Sequence, residues 1–160
     1  MRRAVQLDFT SRVASTAEQV FAHATTMTGV NDELAPWVRM THPPDRASLA
    51  DGDVTPGAVL FHSWLLVGGV LPFDRHALAL THVLTGPEIY GFDEESTSWV
   101  QRRWRHERRI EPTTDAGGCV VSDRLTIVPR LPGSRALTRL VVGALFRRRH
   151  RRLVARFGAG

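Results

Sequence analysis

Four residues near the middle of the chain, Trp104, His106, Arg108 and Asp123, have the types and spacing from which chemistry can be built. Trp104, His106, Arg108 and Ile110 alternate, so an extended strand puts them on one face. Cys119, Val121, Asp123, Leu125 and Ile127 alternate in the same way. A hairpin closing around residues 112 to 118 brings His106 and Arg108 beside Asp123. An imidazole titrates near neutrality and can take or give a proton. A guanidinium can polarise a carbonyl oxygen. Ionised groups on an apolar face are costly unless paired, so the cluster points to function or to a fixed register. Three readings stand together. The first is a buried Arg–Asp pair that sets the hairpin, with His106 on a backbone carbonyl. The second is a polar lining that holds a ligand's carbonyl or hydroxyl. The third is acid–base catalysis, for which His106, Arg108 and Asp123 are the candidates.

Other candidates carry less chemistry. His62, His76 and His82 have no carboxylate or thiol at ligand spacing, so they read as sheet-surface histidines and no metal or cofactor is expected. Asp93, Glu94 and Glu95, followed by Ser96-Thr97-Ser98, read as a solvated acidic turn. Cys119 lies in an apolar run and reads as a small buried hydrophobe. Arg147, Arg148, Arg149, Arg151, Arg152 and Arg156 crowd the C-terminal end with His150. They read as a solvated helix end with cations near the C-terminal dipole, or as a weak contact for a membrane surface or an acidic protein.

The elements that must position these groups follow from periodicity. Residues 4 to 13 alternate as a half-buried strand. Ser15 or Thr16 offers an N-cap to a first helix reaching about Thr28, with Gly29 as its stop. Asn31 caps a short second helix carrying Leu34, Trp37, Val38 and Met40. Pro43, Pro44, Gly52, Pro56 and Gly57, with Asp45, Asp51 and Asp53, mark a long loop over residues 41 to 57, a length common in lids. Strands then follow from Val59, with Gly68-Gly69 and Thr85-Gly86-Pro87 as turns. Ser134 caps a long helix to about Phe157, with Leu137, Leu140, Val141, Ala144 and Leu145 as its apolar stripe. Gly143 in mid-helix costs about 1 kcal/mol against alanine, which suggests a close approach to a backbone or a ligand.

With 160 residues, one domain spanning residues 1 to 160 is expected. The 21 basic residues are all Arg, and the net charge is +5. No apolar run is long enough for a membrane helix. Arg2-Arg3 is followed by strand-like alternation rather than a signal core, and a single cysteine fits a cytoplasmic protein. No binding module accompanies the Arg-rich tail, so nucleic acid is not an expected partner. A homodimer remains open.

The order of elements resembles the SRPBCC superfamily, the START-related, polyketide-cyclase-like helix-grip proteins. The resemblance rests on the helix start Thr16-Ala17-Glu18-Gln19-Val20-Phe21, on Phe92-Asp93-Glu94, on Trp104-Arg105-His106-Glu107-Arg108-Arg109-Ile110, and on Asp123-Arg124-Leu125. Arg108 stands where the family run has a second His, and Ile110 where it has an aromatic. The resemblance implies an α+β helix-grip fold: a curved antiparallel sheet of six to seven strands around a long C-terminal helix, with two short helices after the first strand. It implies a small hydrophobic ligand, a lipid, polyketide or aromatic metabolite, in an internal cavity between sheet and helix. Phe61, Leu78, Leu80, Tyr90, Phe92 and Trp104 would line it from the sheet, with His106, Arg108, Asp123 and Leu125. Leu137 and Val141 would line it from the helix. An aromatase/cyclase-like enzyme using the His/Arg/Asp cluster is the alternative, and an interaction module using Arg147, Arg148, Arg149, Arg151 and Arg152 is another.

Overall fold

A seven-stranded antiparallel sheet organises the computed structural model, which describes residues 3–52, 54–114 and 117–160. Its strands are β1 (Val5–Val13), β2 (Val38–Met40), β3 (Val59–Val67), β4 (Leu71–Thr85), β5 (Tyr90–Ser98), β6 (Gln101–Pro112) and β7 (Cys119–Pro129). They lie in the order β1-β7-β6-β5-β4-β3-β2. Every long strand alternates buried and exposed residues, the pattern of a sheet covered on one face. The fold is the α+β helix-grip arrangement, with helices α1 (Ala17–Thr25) and α2 (Met27–Leu34) after the first strand and α3 (Arg135–Phe157) closing the chain. Arg2, Asp53, and Asp115-Ala116 at the centre of the β6–β7 turn lie outside the described residues.

The junction of the two short helices differs from the sequence expectation. α1 ends at Thr25, and Thr26 serves both as its C-cap and as the N-cap of α2. The Thr26 hydroxyl accepts the Gly29 N–H at 3.0 Å. Gly29 is therefore inside α2 and not a stop. A Cβ there would sit 1.8 Å from the His23 carbonyl oxygen, so only glycine fits this crossing. Asn31 is also inside α2. Its side chain bonds the Met40 N–H at 2.7 Å and the Met40 carbonyl at 3.0 Å, tying α2 to β2. Trp37 and Pro36 lie beyond α2, and Val38 and Met40 are strand residues. The acidic segment from Asp93 to Ser98 is the body of β5, not a turn.

α3 buries a different face from the one its leucines suggest. Thr138, Val142, Phe146, Arg149 and Leu153 point inward. Leu137, Leu140 and Val141 are 62%, 64% and 55% exposed. The inward stripe contains an arginine, and apolar periodicity cannot see a guanidinium as a core group. Ser134 makes no side-chain cap; its hydroxyl donates to Leu131 O at 2.8 Å. Gly143 approaches no other backbone.

The apolar core falls into three clusters. α1 packs with Ile110, Val121 and Leu153. Met27, Val30 and Leu34 of α2 meet Phe61, Leu78, Leu80 and Phe92, with Leu145 against them. Val5, Leu125 and Ile127 meet Val142 and Phe146. Between the clusters lies polar material.

Candidate functional site

Strand register writes a row of ionisable groups across the concave face. Phe9 pairs with Asp123, Asp123 with Arg108, and Arg108 with Phe92. One row along, Leu125 pairs with His106 and His106 with Glu94. His76, opposite Ser63 and Ser98, reaches Glu94 diagonally. Gly91 permits this packing of β5 on β6, because a Cβ there would lie 2.0 Å from the Arg108 carbonyl oxygen.

Arg108 is the hub. Its Nε donates to Asp123 Oδ1 at 2.8 Å and its Nη2 to Asp123 Oδ2 at 2.7 Å. Nη1 and Nη2 also grip Glu33 of α2, at 2.9 Å to Oε1 and 3.1 Å to Oε2. This is bidentate recognition twice over, the geometry that a planar guanidinium supports and an ammonium does not. Arg149 of α3 donates to Glu33 Oε2 at 2.9 Å. His150, one residue on, lies 2.9 Å from Asp123 Oδ2 and 2.8 Å from Ser11 Oγ. Helix α3, helix α2 and three strands are thus joined through buried charges.

The chain of contacts continues across the sheet. His106 Nε2 donates to Asp123 Oδ1 at 2.7 Å, and its Nδ1 lies 3.6 Å from Glu94 Oε2. His76 Nε2 donates to Glu94 Oε1 at 2.7 Å, and the Ser96 hydroxyl donates to the same oxygen at 2.7 Å. Ser96 in turn accepts the Ala79 N–H at 3.1 Å. The rings of Phe92 and Phe146 stand edge-on to His106, at 5.3 and 5.2 Å.

Electrostatics agree with the geometry. Burial opposes ionisation of Asp123, but the charges of Arg108 and His106 outweigh it and hold the carboxyl well below the usual carboxylate range. Burial likewise opposes ionisation of Glu33, and Arg108 and Arg149 reverse the sign. Glu94 is also pulled down despite burial, by hydrogen bonds from His106 and His76. For His106, burial favours the neutral ring, yet Asp123 and Glu94 raise its pKa above the ordinary value. The charge count explains the last shift. Glu33, Asp123 and Glu94 are three carboxylates facing two guanidiniums, Arg108 and Arg149, and a protonated His106 closes the balance.

The network is sealed at its centre and slightly less buried at both ends. Arg108 is 0% exposed and Asp123 1%, while Glu94 keeps 8% and His76 6% at one end, and Arg149 7% and His150 5% at the other. Both nitrogens of His106 face carboxylates. His76 Nδ1 makes no hydrogen bond among the described residues, and the ring lies 6.1 Å edge-on from half-buried Trp104. His76 and Glu94 thus bring slightly exposed polar atoms beside Trp104. Phe61, Leu78, Leu80 and Phe92 are brought together in one buried cluster. Leu125 lies in another, beneath Phe146, and Tyr90 stacks at 5.4 Å on Phe21 in the third. Leu137 and Val141 are at the surface.

Several members of this site are not the ones the sequence singled out. Glu33 reads as a helix-start acid, Glu94 as a turn acid, His76 as a surface histidine, and Arg149 and His150 as part of a solvated tail. Three of them have a signal in hindsight. His76 and Glu94 hold inward positions of alternating strands, and Arg149 follows Val142 and Phe146 at helical spacing. Glu33 has no such local mark, since its partners are 75 and 116 residues away. Three more arginines of the tail are also engaged. Arg148 donates to Ala35 O and lies over Trp37, and Arg152 and Arg156 meet Asp32. His62 is exposed, and His82 is exposed beside Asp93, so the three strand histidines do not converge.

Comparison with solved structures places the fold among START-related proteins. A START superfamily protein from Mycobacterium smegmatis superposes with a TM-score of 0.63 at 12% identity, covering 95% of this chain and 96% of that one. The ZhuI aromatase/cyclase from Streptomyces sp. R1128 gives 0.66 at 14%, over 96% and 93%. The protein XoxI from Bacillus cereus gives 0.64 at 12%, over 96% and 95%. These identities speak for shared architecture. No curated protein matches the sequence. Among the described residues no helix is long and apolar enough to cross a membrane. A family profile does match, over residues 11–157, and the chain belongs to that family, described as Domain of unknown function (DUF8410).

Proposed function

We propose that the protein binds a small hydrophobic molecule bearing a hydroxyl or carbonyl group, on the concave face beside Trp104. The observation that carries this reading is the open hydrogen-bonding position of His76, held by Glu94 at the β4–β5 end of the polar network. A site of this kind needs an apolar wall and a few placed polar atoms. Trp104 supplies the wall, and the exposed flank of Val141 and Leu137 on α3 adjoins Leu145, which packs against the cluster that holds Phe61 and Leu78. The likeness to a START superfamily protein and to an aromatase/cyclase supports a hydrophobic occupant. Within this reading Arg108 and Asp123 anchor the helices and do not touch the ligand. Any acid–base role belongs to His76, since the nitrogens of His106 are both committed.

The test is isothermal titration with 2-naphthol and with 1-decanol. Saturable binding of at least one is expected, weakened about tenfold or more in Trp104→Ala and in His76→Ala, a loss of about 1.4 kcal/mol. Binding of neither probe, or equal binding by both variants, refutes the reading.

A further inference from the structure

A concavity flanks α3 on the side of β1. It is an open cleft of about 460 Å³ between the edge strand β1 and the C-terminal half of α3. Phe9 and Val154 form its apolar floor, with Thr10 and Ser11 on one side and Arg147 and Arg151 on the other. His150 closes the inner wall, already bonded to Ser11 and Asp123.

Two features mark this cleft as built for an anion. The first is charge. Arg148, Arg149, Arg152 and Arg156 all have partners on α2 or just after it. Arg147 and Arg151 have no carboxylate partner among the described residues, and they stand one helical turn apart on the cleft side. Gly143 fits this picture. Its missing Cβ would meet only the Arg147 guanidinium, at 3.3 Å, so the glycine leaves room for that group to lie back along the helix.

The second feature is the strand edge. Apart from the bridge of Val13 to Ala159, β1 has no strand on its outer side among the described residues, and the carbonyls of Ala4, Gln6 and Arg12 accept from Arg135, Arg139 and the Gly160 N–H. In an antiparallel strand the N–H and C=O of one residue point the same way, and alternate residues point together. The Thr10 N–H therefore turns outward at the sheet edge beside the cleft, while the Thr10 hydroxyl lies 3.5 Å from Ser122 Oγ. Two guanidiniums and a backbone N–H around an apolar floor suit an anionic head on an apolar body.

We infer that the β1–α3 cleft binds an organic anion, a phosphate or carboxylate carried on a short apolar group. The same chemistry is offered by a soluble metabolite or by an anionic lipid headgroup.

The test uses the whole chain with phenyl phosphate in calorimetry at low salt, and with phosphatidylglycerol vesicles in a sedimentation assay. The variant is Arg147→Gln/Arg151→Gln, whose sites are exposed, so its melting temperature should match the wild type. Expected is saturable binding of phenyl phosphate, weakened about tenfold or more in the variant, and unchanged in Trp104→Ala. Vesicle binding that depends on the same two arginines, without phenyl phosphate binding, supports the site with a lipid headgroup as the source. Binding of neither probe, or equal binding by the variant, overturns the inference. So does loss of phenyl phosphate binding in Trp104→Ala, which would place the anion on the concave face. Failure of the naphthol and decanol titrations leaves this test intact, because those probes carry no charge and the two sites share no side chain.

Discussion

Replacing Arg108 by methionine isolates the charge of the hub from its volume. The side chain is 0% exposed and satisfies Asp123 and Glu33 at once. In Arg108→Met both carboxylates lose their bidentate partner. Glu33 keeps Arg149, and Asp123 keeps His106 and His150. Three carboxylates then face Arg149 and a protonated His106, so one negative charge stays buried without balance. Breaking a buried pair in this way costs about 3–5 kcal/mol, or a fall in melting temperature of about 6–20 °C for a domain of this size. The loss must depend on pH. Held below their ordinary values, Glu33 and Asp123 contribute stability above about pH 4–5 and lose it as pH falls. In the variant the part of that contribution due to Arg108 is already gone, so the two proteins should draw together in acid. Urea unfolding, followed by tryptophan fluorescence near pH 7 and near pH 3, measures both effects. Adding Glu33→Gln removes one stranded carboxylate and should recover about 1 kcal/mol or more as coupling. A loss below about 1 kcal/mol, the range of exposed pairs, would refute the argument from burial. An equal loss at both pH values would assign the effect to packing.

Three further expectations are independent of that one. The pKa of His106 is raised, so its stabilising contribution is full below about pH 6.5, the ordinary imidazole value, and is lost as pH rises through the higher folded value. Melting against pH should therefore slope downward on the alkaline side in the wild type and flatten in His106→Gln; parallel curves would rule this out. Phe146→Ala, at the contact of α3 with Phe9, Trp104 and His106, should cost about 3–5 kcal/mol, whereas Leu140→Ala on the exposed face should stay within about 0.5 kcal/mol. The opposite ranking would mean that α3 buries its leucine face. Thr26→Ala removes the cap at the α1–α2 junction and should cost about 1 kcal/mol in chemical denaturation, and an unchanged midpoint would show the cap idle.

The sheet was legible because alternation is a local signal, and the pairing of Arg108 and His106 with Asp123 follows from one hairpin. What stayed hidden is long-range. The step at Thr26 depends on a contact between Gly29 and His23 that no propensity encodes. The inward face of α3 is set by Arg149 meeting Glu33 across 116 residues, so a hydrophobicity pattern selects Leu137, Leu140 and Val141 instead. Glu94 was masked by its neighbours. Asp93 and Glu95 point to the other face, where Asp93 meets Arg109 and Glu95 meets Arg103, and a run of three acids looks like a turn until the strand period separates the middle one. The Arg-rich tail mixed two populations, those bound to α2 and the Arg147–Arg151 pair, which sequence spacing alone could not sort.

The position of the charged network also constrains how the helix and sheet can part. Glu33, Arg108, Arg149, Asp123 and His150 all lie under the C-terminal half of α3, and lifting that half would expose several buried ions at once. Under the N-terminal half the inward contacts are Thr138, Val142 and the Phe146 ring, which are apolar or neutral. Separating apolar surfaces costs about 25 cal/mol per Å², which rises smoothly with area, whereas breaking a buried ion pair is paid all at once. Opening of the grip, if the proposed hydrophobic ligand enters, therefore proceeds from the Leu137–Val141 end, with the Arg108 hub as the fixed point. The His76–Glu94 pair lies on β4 and β5, across the sheet from the Arg147–Arg151 cleft beside β1. The buried charges that look like a catalytic cluster in the sequence thus lie between the two proposed sites.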